Sequence, residues 1–213
     1  MKADVFKVEL NRIKNENVRK STEIILELIP DYFYEIPASS SGKYHPSFAL
    51  NIEHTGGLVR HVKVAERTLE EMFRNESFGT YSDYTKDLMR MAVILHDGLK
   101  SGFVKVEHTI TEHPVLMSDY ITSNQDKLLI SDEDAEFVSM LIESHMGPWN
   151  KNHDGKSIMP KPLTKEQLLV HWSDYWASRS YLDVAFENNE IIDSADRAKT
   201  KVLTTDDNKK TRD

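Results

Sequence analysis

The chain has 213 residues, 39% hydrophobic and 29% charged, a balance that fits one folded domain and excludes a disordered or fibrous chain. It has no cysteine, which rules out a disulfide framework and any thiolate metal site; a metal would need His and carboxylate ligands, and nine His are present. A net charge of -8 opposes non-specific adhesion to nucleic acid, and no apolar run approaches the ~20 residues of a membrane span, so no membrane partner and a cytoplasmic location are expected.

With only 8 Gly and 7 Pro, helices should outnumber tight turns. Residues 2–29 read as helical, with Phe6, Leu10, Ile13, Ile24, Ile25, Leu28 and Ile29 near helical spacing and Pro30 as the stop. Residues 31–56 read as a long irregular connection, and its aromatic content favours a functional loop over disorder. Leu58, Val62, Ala65, Leu69, Met72 and Phe73 make one stripe of a helix over 58–74. A second helix over 84–96 is nearly all apolar in its second half and should be central. Pro114 suits the first turn of a helix running through Tyr120 and Ile121. Residues 132–145 form another. Thr164 and Gln167 make a capping box that opens a last helix reaching about Phe186. No strand alternation stands out.

Two features carry chemistry. The apolar helix ending at 96 finishes in His96-Asp97-Gly98, and a buried carboxylate there needs a cation, a donor or water; a helix cap or surface pair would also satisfy it. Asp174 lies in the stretch His171-Trp172-Ser173-Asp174-Tyr175-Trp176, facing either solvent or, inward, a metal. With His61 on the inward stripe of its helix, two His and two Asp on different helices make a nitrogen and oxygen set suited to Mn, Fe, Co, Zn or Mg.

That order, His61 then His96-Asp97 then Asp174, closely resembles the HD-domain metal-dependent phosphohydrolase superfamily, nearest in motif to its YhaM-like subgroup. Gly56-Gly57-Leu58-Val59-Arg60-His61, Pro37-Ala38-Ser39, His96-Asp97-Gly98-Leu99-Lys100, Glu112-His113-Pro114, Ile142-Glu143-Ser144-His145 and Asp174-Tyr175-Trp176-Ala177-Ser178-Arg179 are similar to family segments and follow the family order. Three departures stand out. Met146 replaces the second His of a His-His pair, Gly98-Leu99 is inverted, and the stretch between His45 and Gly56 is longer.

The resemblance implies an all-α fold, a single helical bundle over residues 31–190. An N-terminal helical segment, 1–30, would pack on it, and a polar tail, 191–213, would be frayed or disordered. It implies one divalent ion, or two, held by His61, His96, Asp97 and Asp174. His113 and His145 would bind substrate phosphate or complete a second ion, and Lys100 would neutralise charge developing on the phosphate. Asp97, Lys100, His113 and His145 are thus the implied catalytic group. Arg60 either faces phosphate or lies on a solvated helix face, and either His45 or His54 reaches the site. Arg179 reads as an ion-pair partner. The lysines at 151, 156, 161 and 165, with Trp149, read as a basic lip over the site or as a solvated loop.

The implied activity is hydrolysis of a phosphoester or phosphoanhydride in a nucleotide or short nucleic acid by metal-activated water. Among partners, a small phosphorylated substrate such as a nucleotide comes first, given the acidic, compact chain. A 3′–5′ exonuclease acting on short single-stranded oligonucleotides comes second, and a cyclic or dinucleotide signal third. A non-catalytic sensor binding metal or nucleotide is the competing class.

Overall fold

The computed structural model describes residues 1–39, 42–50, 56–152 and 154–193. The described helices are α1 (Lys7–Leu10), α2 (Glu16–Leu28), α3 (Ser47–Leu50), α4 (Gly57–Phe73), α5 (Asp83–Leu95), α6 (His113–Ser123), α7 (Asp132–Glu143) and α8 (Lys165–Ala177). A two-stranded antiparallel hairpin, β1 (Phe186–Glu187) and β2 (Glu190–Ile191), follows. The all-α expectation holds, and no described helix is long and apolar enough to cross a membrane.

The central helix is α5, packed against α2, α4, α7 and α8. Its composition dictates that place: Met89, Met91, Ala92, Ile94 and Leu95 are fully buried, on all sides of the helix. Each large apolar side chain so buried contributes about 1.5–3 kcal/mol. Helix starts are set by side-chain oxygens. Ser82, Ser131 and Thr164 accept from Thr85, Asp134 and Gln167 backbone N–H groups, and the expected capping box at Thr164 is present.

Three readings of the sequence need correction. Residues 2–29 are not one helix: a 3-10 turn over Lys2–Phe6 leads into α1, the helix breaks, and α2 starts afresh. Asn15 causes the restart, because its backbone is extended and its side chain accepts from the Asn17 and Val18 N–H groups. The last helix stops at Ala177, not near Phe186. There the Ser178 hydroxyl and Arg179 Nε both donate to the Tyr175 carbonyl, satisfying an acceptor that a further turn would otherwise have used. The hairpin was unexpected. Asn188 (φ 48°) and Asn189 (φ 64°) occupy the left-handed region that a two-residue turn demands, one that Asn tolerates better than most residues.

Within 31–56 the described part holds a 3-10 turn over Asp31–Tyr34 and the short α3; residues 40–41 and 51–55 lie outside the described residues. Of the tail, Ile191 pairs in the hairpin and Asp193 pairs with Arg67 at 3.1 Å, while 194–213 lie outside the described residues. The N-terminal segment meets α4 through polar contacts, Lys63 reaching Glu9 at 3.1 Å and Arg12 bonding Glu66, while Lys63 also reaches Glu190 of β2 at 2.8 Å.

Candidate metal centre

The start of α4 is set by two glycines. A Cβ on Gly57 would overlap the Ala49 carbonyl, and one on Gly56 would overlap the carbonyls of Glu35 and Ile36. Only bare backbone lets the chain pass this close. Gly56 N–H and Leu58 N–H then donate to the carbonyls of Tyr34 (2.8 Å) and Ile36 (2.9 Å), and Ala38 N–H donates to Ala49 (2.8 Å). This seats His61 one turn into α4 and brings His45 beside it, ring centroids 5.6 Å apart.

His96 caps the C-terminus of α5, His145 follows that of α7, and His113 opens α6. In each, ring Nδ1 lies 2.7 Å from the carbonyl three residues earlier: Val93, Ile142 and Ile110 respectively. A carbonyl can only accept, so Nδ1 carries the proton and each ring, when neutral, presents its Nε2 lone pair inward. Asp97 and Asp174 face these lone pairs, Asp174 from the middle of α8.

The ligand atoms converge. His61 Nε2 is 3.0 Å from Asp174 Oδ1 and 3.8 Å from Asp97 Oδ2; His96 Nε2 is 3.6 Å and 3.4 Å from the same atoms. His113 Nε2 and His145 Nε2 lie 3.0 Å and 3.9 Å from Asp97 Oδ1. A transition-metal ion holds N and O ligands at about 2.0–2.2 Å, which places neighbouring ligand atoms roughly 3–4 Å apart. Among the described residues two groupings bring their ligand atoms within 4.8 Å of one another: His61, His96 and Asp174, and His96, Asp97 and His145.

The electrostatics point the same way. His96 Nε2, Asp97 Oδ1 and His113 Nε2 are buried without a hydrogen-bond partner; the 3.0 Å approach of the last two is not aligned as one. Burial would raise the Asp97 carboxyl, yet the Lys100 ammonium and the His96 imidazole hold it well below the usual carboxylate range. Asp174 is likewise held down, against burial, by His61 and His96. Burial, helped by its neighbours His96 and His113, pushes His145 down to about 3, so its ring is neutral. Burial and His61 do the same to His45, also to about 3. A neutral His145 whose Nδ1–H is spent on Ile142 turns a lone pair toward an ionised Asp97. Two acceptors facing each other in a dry interior are mutually repulsive, and a shared cation is what reconciles them. Burial opposes charge on His96 as well, but Asp97 and Asp174 outweigh it and lift that ring to about 10, so a bound divalent ion would take the place of its second proton. The C-terminal ends of α5 and α7, carrying partial negative charge, add to the attraction for a cation. The donor set therefore fits a divalent ion.

A cavity of ≈ 450 Å³ opens onto the cluster, and Asp174, 20% exposed, forms part of its wall. His45, Lys100, His113 and His145 line it, and Lys100 Nζ sits 2.5 Å from Asp97 Oδ2. His45 Nδ1 is buried without a partner. His54 lies outside the described residues. Arg60 is turned elsewhere: its guanidinium bonds Asn189 Oδ1 at 3.2 Å and lies over the Phe186 ring. The lysines at 151, 156, 161 and 165 are absent from the wall, while Trp149 is part of it.

Among the wall residues, Tyr44, Thr109 and Tyr175 have no site role in the sequence reading, and Arg179 is expected there only as an ion-pair partner. Among the described residues Arg179 forms no ion pair; its guanidinium stacks 4.0 Å from the Tyr175 ring centroid and donates to Tyr175 O and Ser178 Oγ. Only the position of Tyr175 and Arg179 just after Asp174 hinted at this. Compared with models of known families, with curated proteins and with solved structures, the chain has no match.

Proposed function

We propose that this chain is a divalent-metal-dependent phosphohydrolase of the HD-domain kind, cleaving a phosphoester or phosphoanhydride in a nucleotide-sized substrate. One observation carries the reading: imidazoles and carboxylates held on α4 and α8 and at the ends of α5 and α7 gather closely enough to hold an ion, and Asp174 and His145 of that set line a substrate-sized cavity.

His61, His96, Asp97 and Asp174 would hold the ion, with His113 and His145 available to a second. A bound divalent ion lowers the pKa of water and polarises a phosphoryl oxygen, which supplies both nucleophile and electrophile at neutral pH. Around it the side chains divide the work. Asp97, fixed between Lys100 and the imidazoles, orients the attacking water with whichever oxygen is not ligating. Lys100, at the cavity edge, can swing from Asp97 to an equatorial phosphate oxygen as charge builds there. His113 and His45 line the path of the phosphate, and Arg179 adds a second fixed cation to the same wall.

The test is metal content of the purified protein by elemental analysis, then incubation with Mn²⁺ and a panel of nucleoside mono-, di- and triphosphates, cyclic nucleotides and short oligonucleotides. Near-stoichiometric metal and turnover of at least one member are expected. Metal bound with no turnover across the panel would replace the hydrolase by a sensor. No metal at all would end both readings.

A further inference from the structure

Outside the metal cavity lies a second depression of ≈ 520 Å³, lined by Phe78, Trp149, His171, Trp172, Tyr175 and Trp176 together with Pro148. All three tryptophans of the chain stand on it. Trp149 is 53% and Trp176 44% exposed. Large aromatic rings left this open forgo burial that would stabilise the fold, and such clusters mark surfaces that bind. No Asp, Glu, Lys or Arg belongs to the lining, so the groove suits a neutral planar group rather than a phosphate.

Its position identifies the occupant. Trp149 and Tyr175 belong to both depressions, and they stack with ring planes 14° apart and centroids 5.6 Å apart. Tyr175 directly follows the candidate ligand Asp174. A substrate with its phosphate on the cluster therefore has only this flat aromatic wall to cross before entering the groove. Lys100 and Arg179, the cations a phosphate would seek, stay on the cavity side. Trp149 and Trp176 leave flat ring surface open in the groove, and a base stacking on it needs no particular hydrogen-bond pattern.

We propose that the aromatic groove is a stacking subsite for a second base of the same substrate, so that the ligand is a two-base unit straddling the Trp149–Tyr175 wall. This rests on the phosphohydrolase reading for where the phosphate sits, but its test does not depend on turnover. Trp176 lines only the outer groove and is exposed, so Trp176→Ala should fold normally, as circular dichroism would confirm. The probes are a thymidine dinucleotide with a phosphorothioate linkage and its one-base counterpart, the methyl phosphorothioate ester of thymidine. Each is titrated with Mn²⁺ present, and binding is read by quenching of tryptophan fluorescence. The dinucleotide should bind about tenfold more tightly than the ester, the effect of one stacked base. Trp176→Ala should erase that factor, and Trp176→Phe should restore most of it.

Equal binding of the two ligands, or a ratio unchanged in Trp176→Ala, overturns the proposal. So does sedimentation showing a dimer that Trp176→Ala dissociates while the dinucleotide causes no quenching, for then a second copy of the chain covers the groove. If the unmodified dinucleotide and ester are never hydrolysed but the binding ratio behaves as expected, the hydrolase reading fails and the subsite stands.

Discussion

Replacing Asp97 by Asn keeps the shape of the side chain and removes its charge, which makes it the sharpest probe of the cluster. Five nitrogens approach that carboxylate: Lys100 at 2.5 Å, His113 at 3.0 Å, His96 at 3.4 Å, His61 at 3.8 Å and His145 at 3.9 Å. In metal-free protein the main loss is the Lys100 pair. Breaking a buried pair costs about 3–5 kcal/mol, and the low end applies because Lys100 can turn into the cavity and regain water. The larger signature is the response to metal. At a Mn²⁺ concentration 100 times its Kd, the wild-type fold gains about 2.7 kcal/mol from binding. If Asp97→Asn weakens binding about 100-fold, the same concentration contributes only about 0.4 kcal/mol. For a domain of this size 1 kcal/mol moves Tm by about 2–4 °C, so Mn²⁺ should raise the wild-type Tm by roughly 5–11 °C and the variant's by about 1–2 °C. Differential scanning fluorimetry with Mn²⁺ or with EDTA reads both values. Equal Mn²⁺ shifts in the two proteins would refute a metal role for Asp97, whatever the loss of basal stability.

Glu66 predicts how the fold responds to pH. Burial, with Glu70 and Glu9 nearby, pushes its carboxyl up to about 8 despite Arg12, against an ordinary value of 4.5. The folded state therefore binds that proton more tightly than the unfolded one, so the contribution is present below about pH 4.5 and is lost as pH rises to about 8. Glu66→Gln should flatten the fall in Tm over that window, and an unchanged slope would remove Glu66 as its source. Gly147 sits at φ 58°, where an added Cβ would overlap the His171 ring, and His171 in turn bonds the His145 carbonyl. Gly147→Ala should cost more than about 1 kcal/mol in chemical denaturation and shrink the Mn²⁺ shift as well; a neutral result would unlink this turn from the site. Lys100→Ala should keep metal, by elemental analysis, while turnover falls at least tenfold, and full activity would exclude it from the chemistry. In His145→Ala, bound metal falling by half would count two ions per chain, whereas an unchanged content would confine His145 to the substrate side.

How much of this was legible in the sequence depended on length scale. The apolar stripe of α4 and the solid apolar run of α5 announce buried helices, because either pattern spans several turns. His96-Asp97 at the end of that run announced an unusual demand for charge compensation. The break before α2 was hidden, since apolar residues keep helical spacing on both sides and only the capping geometry of Asn15 reveals the restart. Strands of two residues are too short to alternate, so the hairpin left no trace beyond Asn188-Asn189. Its packing over α4 also decides where Arg60 points, a matter no local pattern could resolve. The wall of Trp149, Tyr175 and Arg179 joins the loop after α7 to the end of α8. It exists only once those elements meet.

The three imidazoles at helix boundaries take their bearings from the backbone: His96 from Val93, His113 from Ile110 and His145 from Ile142. No substitution at 93, 110 or 142 can delete a carbonyl, so the aim of each ring is insulated from side-chain drift at its anchor. Indels are another matter. One residue added between 93 and 96 would rotate the ring by roughly 100° about the helix axis. Sequence lengths there are frozen by geometry, whereas the exposed stretch 103–108 anchors none of the three rings and lies outside the cavity wall.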